Sequence, residues 1–384
     1  MRDVVIIEAV RSPIGKRDGK LCGTLPVHLA ARVLKELAAR AHIDPALVQD
    51  VVMGCVTPVG EQGANIARLA VLQAGFPVEV PAVSLNRMCG SSQQAVHFAA
   101  QEILSGDMEV VIAGGIEVMS RVPIGSDWPK QWPTDFPYPL VHQGLSAEMM
   151  AEKWSLTREE LDRFSFESHV KAAAATRRGD FAREIVPIKV TLPDGASGTM
   201  KVETMTIDEG IRFEPNLEKM GKLQPAFKAD GVITAANSSQ ISDGAAALLL
   251  MSADKAKELE LKPRARIVAR TVVGSDPVLM LSGPISATRQ VLDRAGLKLD
   301  DIAAIEINEA FASVVLAWQK EIQPDPACVN PNGGAIALGH PLGATGAVLM
   351  TKLLHHLERT GGRYGLQTMC IGHGMATATI IERL

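Results

Sequence analysis

The stretch SLNRMCGSSQQAVHFAAQEILSGDMEVVIAGGIEVMS, which runs from Ser84 to Ser120, predicts the fold class of this chain. It begins at the end of a short apolar run, continues as a helix-like segment and ends in a second apolar run, EVVIAGG. Short apolar runs bounded by glycine are typical of buried strands, and the spacing of apolar residues between them is typical of a helix. A strand, a helix and a strand in this order favour an α/β layer structure with a largely buried sheet.

The same order of elements occurs in the first and last thirds of the chain. Strands are predicted at the apolar runs that begin at Val4 and Ala265, each followed by a segment with helical spacing. The helix after His340 matches the helix after Cys89, and GLQTMCIG near the end of the sequence matches VVIAGG. Such internal similarity predicts two copies of one α/β unit.

Between the two copies, from Met119 to about Asn237, the composition changes. Prolines, tryptophans and charges accumulate in RVPIGSDWPKQWPTDFPYPLVHQG. A helical stretch follows, with SLTREE as its capping-box-like start. This segment is too structured for a linker, so we predict an excursion out of the sheet.

The bulk composition excludes several classes of protein. A chain of 384 residues with 47% hydrophobic residues suggests roughly two or three domains. The net charge of -4, spread without long single-sign runs, argues against nucleic-acid binding but allows an anionic ligand held by a few local cations. The apolar run GAAALLLMS is far too short to cross a bilayer, so no membrane span is expected.

The cysteines indicate a reducing compartment. They are odd in number and scattered along the sequence: Cys22, Cys55, Cys89, Cys328 and Cys370. The start of the sequence lacks the pattern of a secretory signal, so we expect reduced thiols in the cytoplasm. No C-x-x-C pair occurs, and no metal site is expected.

Cys89 has two interpretations on the residues alone. A strand-to-helix corner with Gly90 and Ser91 behind the thiol would expose the side chain, and the helix N-terminus would lower the thiol pKa from about 8.5. The alternative is a buried cysteine that fills a gap between helix and strand, since cysteine is among the most buried residue types. The residues leave both open.

Three further segments contain candidate chemistry. The glycine-rich loop NPNGGAIALGHPLGATG presents His340 where the backbone can approach a ligand closely. In MCIGHGMAT, Cys370 is followed by glycines whose N–H groups are accessible as oxyanion donors, although a buried strand cysteine is equally ordinary. In INEAFA, Asn308 lies at a strand-to-helix junction, where asparagine is also a common helix cap.

Taken together and in this order, NRMCGSS, AGGIEVMS, NEAF, GGAIALGHPLGATG and CIGHGM resemble the thiolase family, and the resemblance extends over the whole chain. It implies a five-layer αβαβα fold made of two similar halves with an inserted loop domain. The first half would comprise residues 1–118 with about 240–264, and the second half residues 265–384. The loop domain, which binds coenzyme A (CoA), would comprise residues 119–239.

The resemblance also implies a mechanism. Thiolases cleave or form the carbon–carbon bond of 3-oxoacyl-CoA, and the acyl group passes through an enzyme thioester. Carried over by position, Cys89 is the nucleophile, Cys370 is the acid/base, and His340 lies beside Cys89. His340 would help Cys89 ionise and donate to the thioester oxygen, and Asn308 would hold a water that completes the same oxyanion hole. The N–H groups of Cys89 and Gly372 would form a second oxyanion hole. CoA and acyl-CoA are substrates, and no permanently bound cofactor or metal is expected.

The resemblance places further residues along the CoA and acyl groove: Arg212, Leu223, Phe227, Ser239, His142, Phe311 and Met280. The flat guanidinium of Arg212 would suit the adenine end of CoA. Met280 would line the acyl pocket.

The sequence departs from short-chain thiolases around the acyl end. Gln143 stands where those members commonly have methionine, Leu281 and Gln240 replace smaller residues, and His373 interrupts a glycine run. These departures leave two substrate preferences open, namely longer 3-oxoacyl chains in fatty-acid degradation and the formation of acetoacetyl-CoA.

Other classes remain as alternatives. A ketosynthase would use one cysteine with two histidines, whereas this chain offers a second thiol. A thiolase-like protein that only binds acyl-CoA and a Cys–His thioester hydrolase are remoter possibilities. By analogy with the family we expect a homodimer or homotetramer, with a β-oxidation complex as a possible partner.

Overall fold

A computed structural model describes residues 3–193 and 199–384, and its first part alternates strands and helices as the apolar runs predict. The strands are β1 Val4–Arg11, β2 Gly15–Lys16, β3 Asp50–Gly54, β4 Val83–Leu85 and β5 Val110–Val118. The helices are α1 Pro26–Ala41, α2 Ile66–Gln73 and α3 Ser91–Ser105. Gly106 ends α3 in the left-handed conformation at φ 89°, which glycine adopts without steric cost.

The middle of the chain leaves the sheet and then returns to it. Its elements are α4 Gln143–Lys153, α5 Arg158–Arg178, β6 Ile188–Pro193, β7 Met200–Met205, α6 Leu217–Gly221, β8 Ser242–Ser252 and α7 Ala253–Glu258. The capping box predicted at SLTREE is confirmed, because Thr157 and Glu160 exchange side-chain and backbone hydrogen bonds. β6 and β7 pair only with each other in the described residues. β8 joins the main sheet.

The last part repeats the first. Its elements are β9 Ala265–Gly274, α8 Gly283–Ala295, β10 Ile302–Ile307, α9 Ala312–Ile322, α10 Ala335–Leu338, α11 Thr345–Thr360, β11 Tyr364–Ile371 and β12 Met375–Arg383. The predicted matches are confirmed, since α11 precedes β11 as α3 precedes β5.

The strand order makes the two-fold repeat explicit. The main sheet runs β4-β3-β5-β8-β1 and continues directly into β9-β12-β11-β10. Each half has a parallel pair, β3 with β5 or β10 with β11, followed by two antiparallel pairings. A parallel bridge from Ile305 to Val329 takes the place of β4 beside β10. The halves meet where β1 pairs antiparallel with β9.

Helix packing yields the predicted five layers. α1 and α2 pack on one outer side of the first half, and α8 and α9 on the outer side of the second. α3 and α11 contact each other between the two half-sheets. The strands β5 and β8 are buried along their whole length, as expected for strands covered by helices on both faces. The start of α3 and the loop before α11 therefore meet in the middle layer.

A buried arginine attaches the inserted segment to the first half. Arg11 in β1 is fully buried and contacts Glu184 and Asp208, each at 2.7 Å. Asp208 also accepts a hydrogen bond from the backbone N–H of Ile14 at 2.7 Å. Removing one partner of such a buried pair typically costs about 3–5 kcal/mol, because the other charge is left without compensation. This contact holds the insertion in a defined position beside the sheet.

Candidate active site

Cys89 lies between β4 and α3, directly before the N-cap residue Gly90. It is only 4% exposed, so of the two interpretations that the residues left open, the buried cysteine is the observed one. Burial raises the pKa of the Cys89 thiol, opposite to the lowering that an exposed thiol at a helix N-terminus would show. Hydrogen bonds from the Gln143 side chain and from the N–H groups of Gly372 and Cys89 itself oppose that rise. The loss of water outweighs these donors, because a thiolate is poorly stabilised in an apolar interior.

Cys370 lies near the end of β11 and is 1% exposed. Burial raises the pKa of its thiol, and charge on Cys89 raises it further, so the two sulfur atoms are electrostatic neighbours. Gly372, two residues on, donates its N–H to Cys89. A Cβ at Gly90 would lie 2.3 Å from Cδ1 of Ile371, so the α3 corner and the β11 end pack in direct contact. The structure thus brings together the two thiols that the sequence separates.

His340 is buried in the loop between α10 and α11. Its Nδ1 lies 2.6 Å from the hydroxyl of Thr345, and that hydroxyl donates to the carbonyl of Pro341 at 2.9 Å. Since a hydroxyl has one proton to donate, Nδ1 is the protonated nitrogen and Nε2 retains its lone pair. Burial lowers the pKa of His340 to about 4, so the imidazole is neutral at physiological pH. Leu342 in the same loop packs in one apolar cluster with Cys89.

Asn308 directly follows β10 and is fully buried. Its Nδ2 lies 3.4 Å from Nε2 of His340, and its backbone N–H donates to Thr368 in β11 at 3.1 Å. Its Oδ1 has no hydrogen-bond partner among the described residues. A buried amide oxygen without a partner is uncommon and favours a site that a water or a ligand completes. Asn308 and His340 therefore lie together, as predicted.

Two glutamates that were not predicted as site residues hold the glycine-rich loop that contains His340. Glu117 in β5 accepts hydrogen bonds from the N–H groups of Val56, Thr57 and Gly343 and from the Gln62 amide. Gly343 belongs to the loop of His340, so this carboxyl group joins that loop to β5. A single acid within the apolar run VVIAGGIEV was the feature of the sequence that could have identified it.

Glu309, which follows Asn308, acts similarly on the glycine-rich loop. Its carboxyl group accepts from Ser168 at 2.7 Å, Asn330 at 2.8 Å and the N–H of Ile336 at 3.2 Å. A Cβ at Gly334 would lie 2.2 Å from Cδ of Glu309, so this position requires glycine. The glycine-rich loop is thus packed closely on a buried acid.

A cavity of about 520 Å³ is lined by His142 and His373, the chain neighbours of the two residues Gln143 and Gly372 that hydrogen-bond Cys89. Its lining includes His142, Met280 and His373, together with aromatic residues of the inserted segment. His142 also packs at 5.2 Å on the ring of Phe227, which contacts Phe311 at 6.0 Å.

The other predicted groove residues, Ser239, Arg212 and Leu223, do not line this cavity. Ser239 donates its N–H to the carbonyl of Ala310 at 2.9 Å, next to Phe311. Arg212 and Leu223 are exposed on either side of α6.

Two of the noted departures have structural roles. The amide of Gln240 donates to the backbone carbonyls of Gly210 at 3.0 Å and Ile336 at 2.8 Å. The backbone carbonyl of Gln240 also accepts a hydrogen bond from the N–H of His340 at 3.3 Å, so this residue lies next to the site. Leu281 is fully buried in the apolar cluster that includes Met280 and Cys370.

In residues 3–193 and 199–384, no group of three or more histidine, cysteine, aspartate or glutamate side chains is arranged to hold a metal ion. Within the same ranges, none of the helices has the length and apolar character needed to cross a membrane. All five cysteines are free thiols.

A fold of two α/β halves around a buried thiol pair and a neutral imidazole defines an acyltransferase. The chain belongs to the thiolase family: the model of the thiolase N-terminal domain matches residues 4–254, and that of the thiolase C-terminal domain matches residues 261–383.

Full-length relatives agree with this family. The chain is 52% identical to a steroid 3-ketoacyl-CoA thiolase of Mycobacterium tuberculosis, over 100% of this chain and 95% of the relative. It is 43% identical to a 3-ketoacyl-CoA thiolase of Idiomarina loihiensis over the whole of both chains. Its structure matches that of the Bacillus anthracis acetyl-CoA acetyltransferase with a TM-score of 0.92 and 40% identity, covering 100% of this chain and 99% of that one.

Proposed function

We propose that the protein cleaves 3-oxoacyl-CoA with CoA, giving acetyl-CoA and a shortened acyl-CoA, as in fatty-acid degradation. The observation that supports this most directly is the contact between the Cys89 corner and the Cys370 strand end through Gly372. Relatives 42–52% identical are named 3-ketoacyl-CoA thiolases. A second thiol next to the nucleophile suits carbon–carbon cleavage, because the carbanion that leaves needs a proton.

In the first half-reaction Cys89 attacks the 3-oxo carbon. Its proton passes to Nε2 of His340, the unprotonated ring nitrogen, and the new bond joins Sγ to C3. The C2–C3 bond breaks, its electron pair forms the enolate of acetyl-CoA, and the Cys370 thiol protonates C2. Protonated His340 and a water held by Asn308 stabilise the enolate oxygen. The N–H groups of Cys89 and Gly372 stabilise the tetrahedral intermediate.

The second half-reaction restores every group. The CoA thiol gives its proton to the Cys370 thiolate and attacks the acyl thioester. Cys89 leaves as a thiolate and recovers its proton from His340. The raised pKa of Cys370 supports this role, because an acid for a carbanion must be protonated at rest. The neutral state of His340 supports its role as base, since a protonated imidazole could not accept the thiol proton.

We propose that residues 119–239 form the loop domain that binds CoA, between halves that comprise residues 1–118 with about 240–264 and residues 265–384. Exposed Arg212 and Leu223 would contact the adenosine end. The aromatic row His142, Phe227 and Phe311, with Ser239 beside it, would border the pantetheine arm. Met280 would contact the acyl group.

A second candidate function is the reverse condensation, which forms acetoacetyl-CoA from two acetyl-CoA molecules. The likeness to the Bacillus anthracis acetyl-CoA acetyltransferase favours it. Comparing kcat/KM for acetoacetyl-CoA and a longer 3-oxoacyl-CoA separates the two, because one methylene in a fitting pocket is worth roughly 1–3 kcal/mol.

We also propose that the protein acts in the cytoplasm as a homodimer or homotetramer, with a β-oxidation complex as a possible wider assembly. The five free thiols suit a reducing compartment. Sedimentation of the purified chain measures its oligomeric state directly.

The proposed reaction is tested by product analysis with and without CoA. We expect two thioesters and no free acid, and an acyl adduct on Cys89 by mass spectrometry. Cys89→Ala should abolish both turnover and adduct, whereas Cys328→Ala, which alters a half-buried thiol outside the site, should retain both. Release of free acid would identify a hydrolase instead, and an adduct on another residue would refute the assignment of Cys89.

A further inference from the structure

We propose that the acyl group accepted by this protein is bulky and contains a fused ring, and that it binds in the 520 Å³ cavity beside Cys89. The inference rests on the thiolytic function proposed above and specifies its substrate class. Three separate parts of the chain meet at this cavity: residues 128–142 of the insertion, residues 275–280 after β9, and His373 between β11 and β12.

The cavity lies next to the residues that bind the nucleophile. Gln143 and Gly372 both hydrogen-bond the Cys89 thiol. Their chain neighbours His142 and His373 both line the cavity. The cavity is therefore placed to receive a group attached to the carbon that Cys89 attacks.

The walls of the cavity are aromatic and rigidly arranged. Trp132 contacts Trp128, Phe136 and His373 edge-to-face, with ring centroids 6.5, 6.2 and 6.3 Å apart. Such pairs stabilise one another beyond the area they bury. His373, which interrupts the glycine run of the family pattern, thus fixes the inserted segment against the catalytic strand end.

The rings around the cavity are exposed to an unusual extent. Trp128 is 49% exposed, Phe136 44% and Tyr138 52%. Exposed apolar side chains that converge on one concave surface are typical of a ligand site rather than of ordinary surface. An apolar acyl group would remove these rings from water, which favours its binding.

Size and shape favour a ring over a slender chain. Sites of roughly 300–1,000 Å³ bury drug-sized ligands, so an acetyl group would leave almost all of this cavity empty. A flexible alkyl chain loses rotational freedom when it is confined, whereas a fused ring has little to lose. The relative at 52% identity is named for steroid substrates, which are fused-ring compounds.

The first experiment compares two substrates with 13 carbons in the acyl group. One carries a decalin ring on C3 of a 3-oxopropanoyl-CoA, and the other is 3-oxotridecanoyl-CoA. We expect kcat/KM to be roughly tenfold or more higher for the ring-bearing thioester, by the same discrimination that other apolar pockets achieve. Equal or better cleavage of the straight chain would overturn the proposal.

Variants locate the preference. Trp132→Ala should lower kcat/KM for the ring-bearing thioester by roughly 10–100-fold and change that for acetoacetyl-CoA by less than about threefold. His373→Gly removes the same contact at a position with φ 62°, which glycine adopts without strain, and should have the same effect if Trp132→Ala fails to fold. Phe98→Ala, at a comparably exposed ring on α3 outside the cavity, is the matched control. Equal losses with both substrates would show that the cavity does not select the acyl group.

A binding measurement separates failure of this inference from failure of the proposed function. Titration of Cys89→Ala with the ring-bearing thioester should quench tryptophan fluorescence, because two of the four tryptophans line the cavity. The double variant Trp128→Phe with Trp132→Phe should lose the quench. If the wild type cleaves neither thioester but the quench occurs, the reaction is wrong and the cavity assignment stands. If acetoacetyl-CoA is cleaved and no quench occurs, the reaction stands and this inference falls.

Discussion

The two halves of the chain have the same strand order but contribute different side chains to the site. Cys89 lies directly before α3 in the first half, and His340 lies in the loop before α11 in the second. At the corresponding strand ends, β5 contains Glu117 and β11 contains Cys370. Each half thus provides a helix start and a strand end, and the four residues there are two cysteines, one histidine and one glutamate.

The residues at the two strand ends differ in role: Glu117 holds a loop in place, whereas Cys370 is the acid/base that we propose. The carboxyl group of Glu117 accepts hydrogen bonds from four N–H donors, so none of its lone pairs is directed at a substrate. The thiol of Cys370 instead faces Cys89. A repeated fold therefore supplies two equivalent positions: Glu117 in the first half holds the loop of His340, and Cys370 in the second half is the acid/base of the reaction that we propose.

The largest effect on activity is expected when Cys370, at the end of β11, is replaced. Cys370→Ala should lower kcat by roughly 10²–10⁴-fold, the range that a positioned acid/base contributes. Alkylation of Cys89 by iodoacetamide should still proceed, because the nucleophile and His340 are unchanged. Steady-state kinetics and mass spectrometry of the labelled thiol measure both.

Cys328→Ala provides the control for Cys370→Ala, since it alters a thiol of the same half outside the site. If Cys370→Ala retained wild-type kcat, Cys370 would not be the acid/base of the reaction. The comparison between the strand ends would then be wrong.

An intermediate effect on activity is expected when Glu117, at the end of β5, is replaced. Glu117→Ala leaves four N–H donors without their acceptor, which should cost about 3–5 kcal/mol of unfolding free energy, as for other broken buried networks. Displacement of the His340 loop should lower kcat by roughly 10–100-fold, because catalysis is sensitive to small misplacements. Urea unfolding and kinetics on the same sample measure the two losses.

Glu117→Gln keeps the shape and one acceptor, so its losses should be smaller in both measurements. Loss of activity in Glu117→Ala without any loss of stability would contradict an anchoring role. It would place this acid among the groups that act on the substrate.

The sequence predicted those features of the fold that depend on local pattern. The strands at Val4 and Val110 and the helix after Cys89 were found because their apolar spacing and bounding glycines are local properties. The hairpin of β6 and β7 was not predicted, although IKVTL in β6 and MKVE in β7 alternate apolar and polar residues as half-buried strands do. β8 was not assigned, because a short run of alanine and leucine suits a helix as well as a strand.

The site was predictable where a motif identifies residues and unpredictable where distant segments meet. Asn308 and His340 were predicted as neighbours and lie 3.4 Å apart. The sequence could not decide whether Cys89 is buried, because the α3 corner packs against Ile371 in the other half of the chain. The contact of His373 with Trp132 was also missed, since nothing in the local sequence joins residues so far apart.

The smallest effect on activity is expected at Gln143, the residue of the inserted segment whose side chain hydrogen-bonds the Cys89 thiol. Its side chain lowers the pKa of Cys89 against the larger rise caused by burial. In Gln143→Met that donor is lost, so the pKa should rise further and the thiolate fraction at a fixed pH below it should fall. Since a hydrogen bond is worth about 0.5–1.5 kcal/mol, Cys89 alkylation should slow about three- to tenfold. The pH–rate curve of alkylation should rise toward alkaline pH in both proteins and be displaced to higher pH in the variant.

Gln73→Met, at an exposed position on α2, is the matched control. An unchanged or faster curve for Gln143→Met would mean that the two halves set the nucleophile's pKa without help from the insertion.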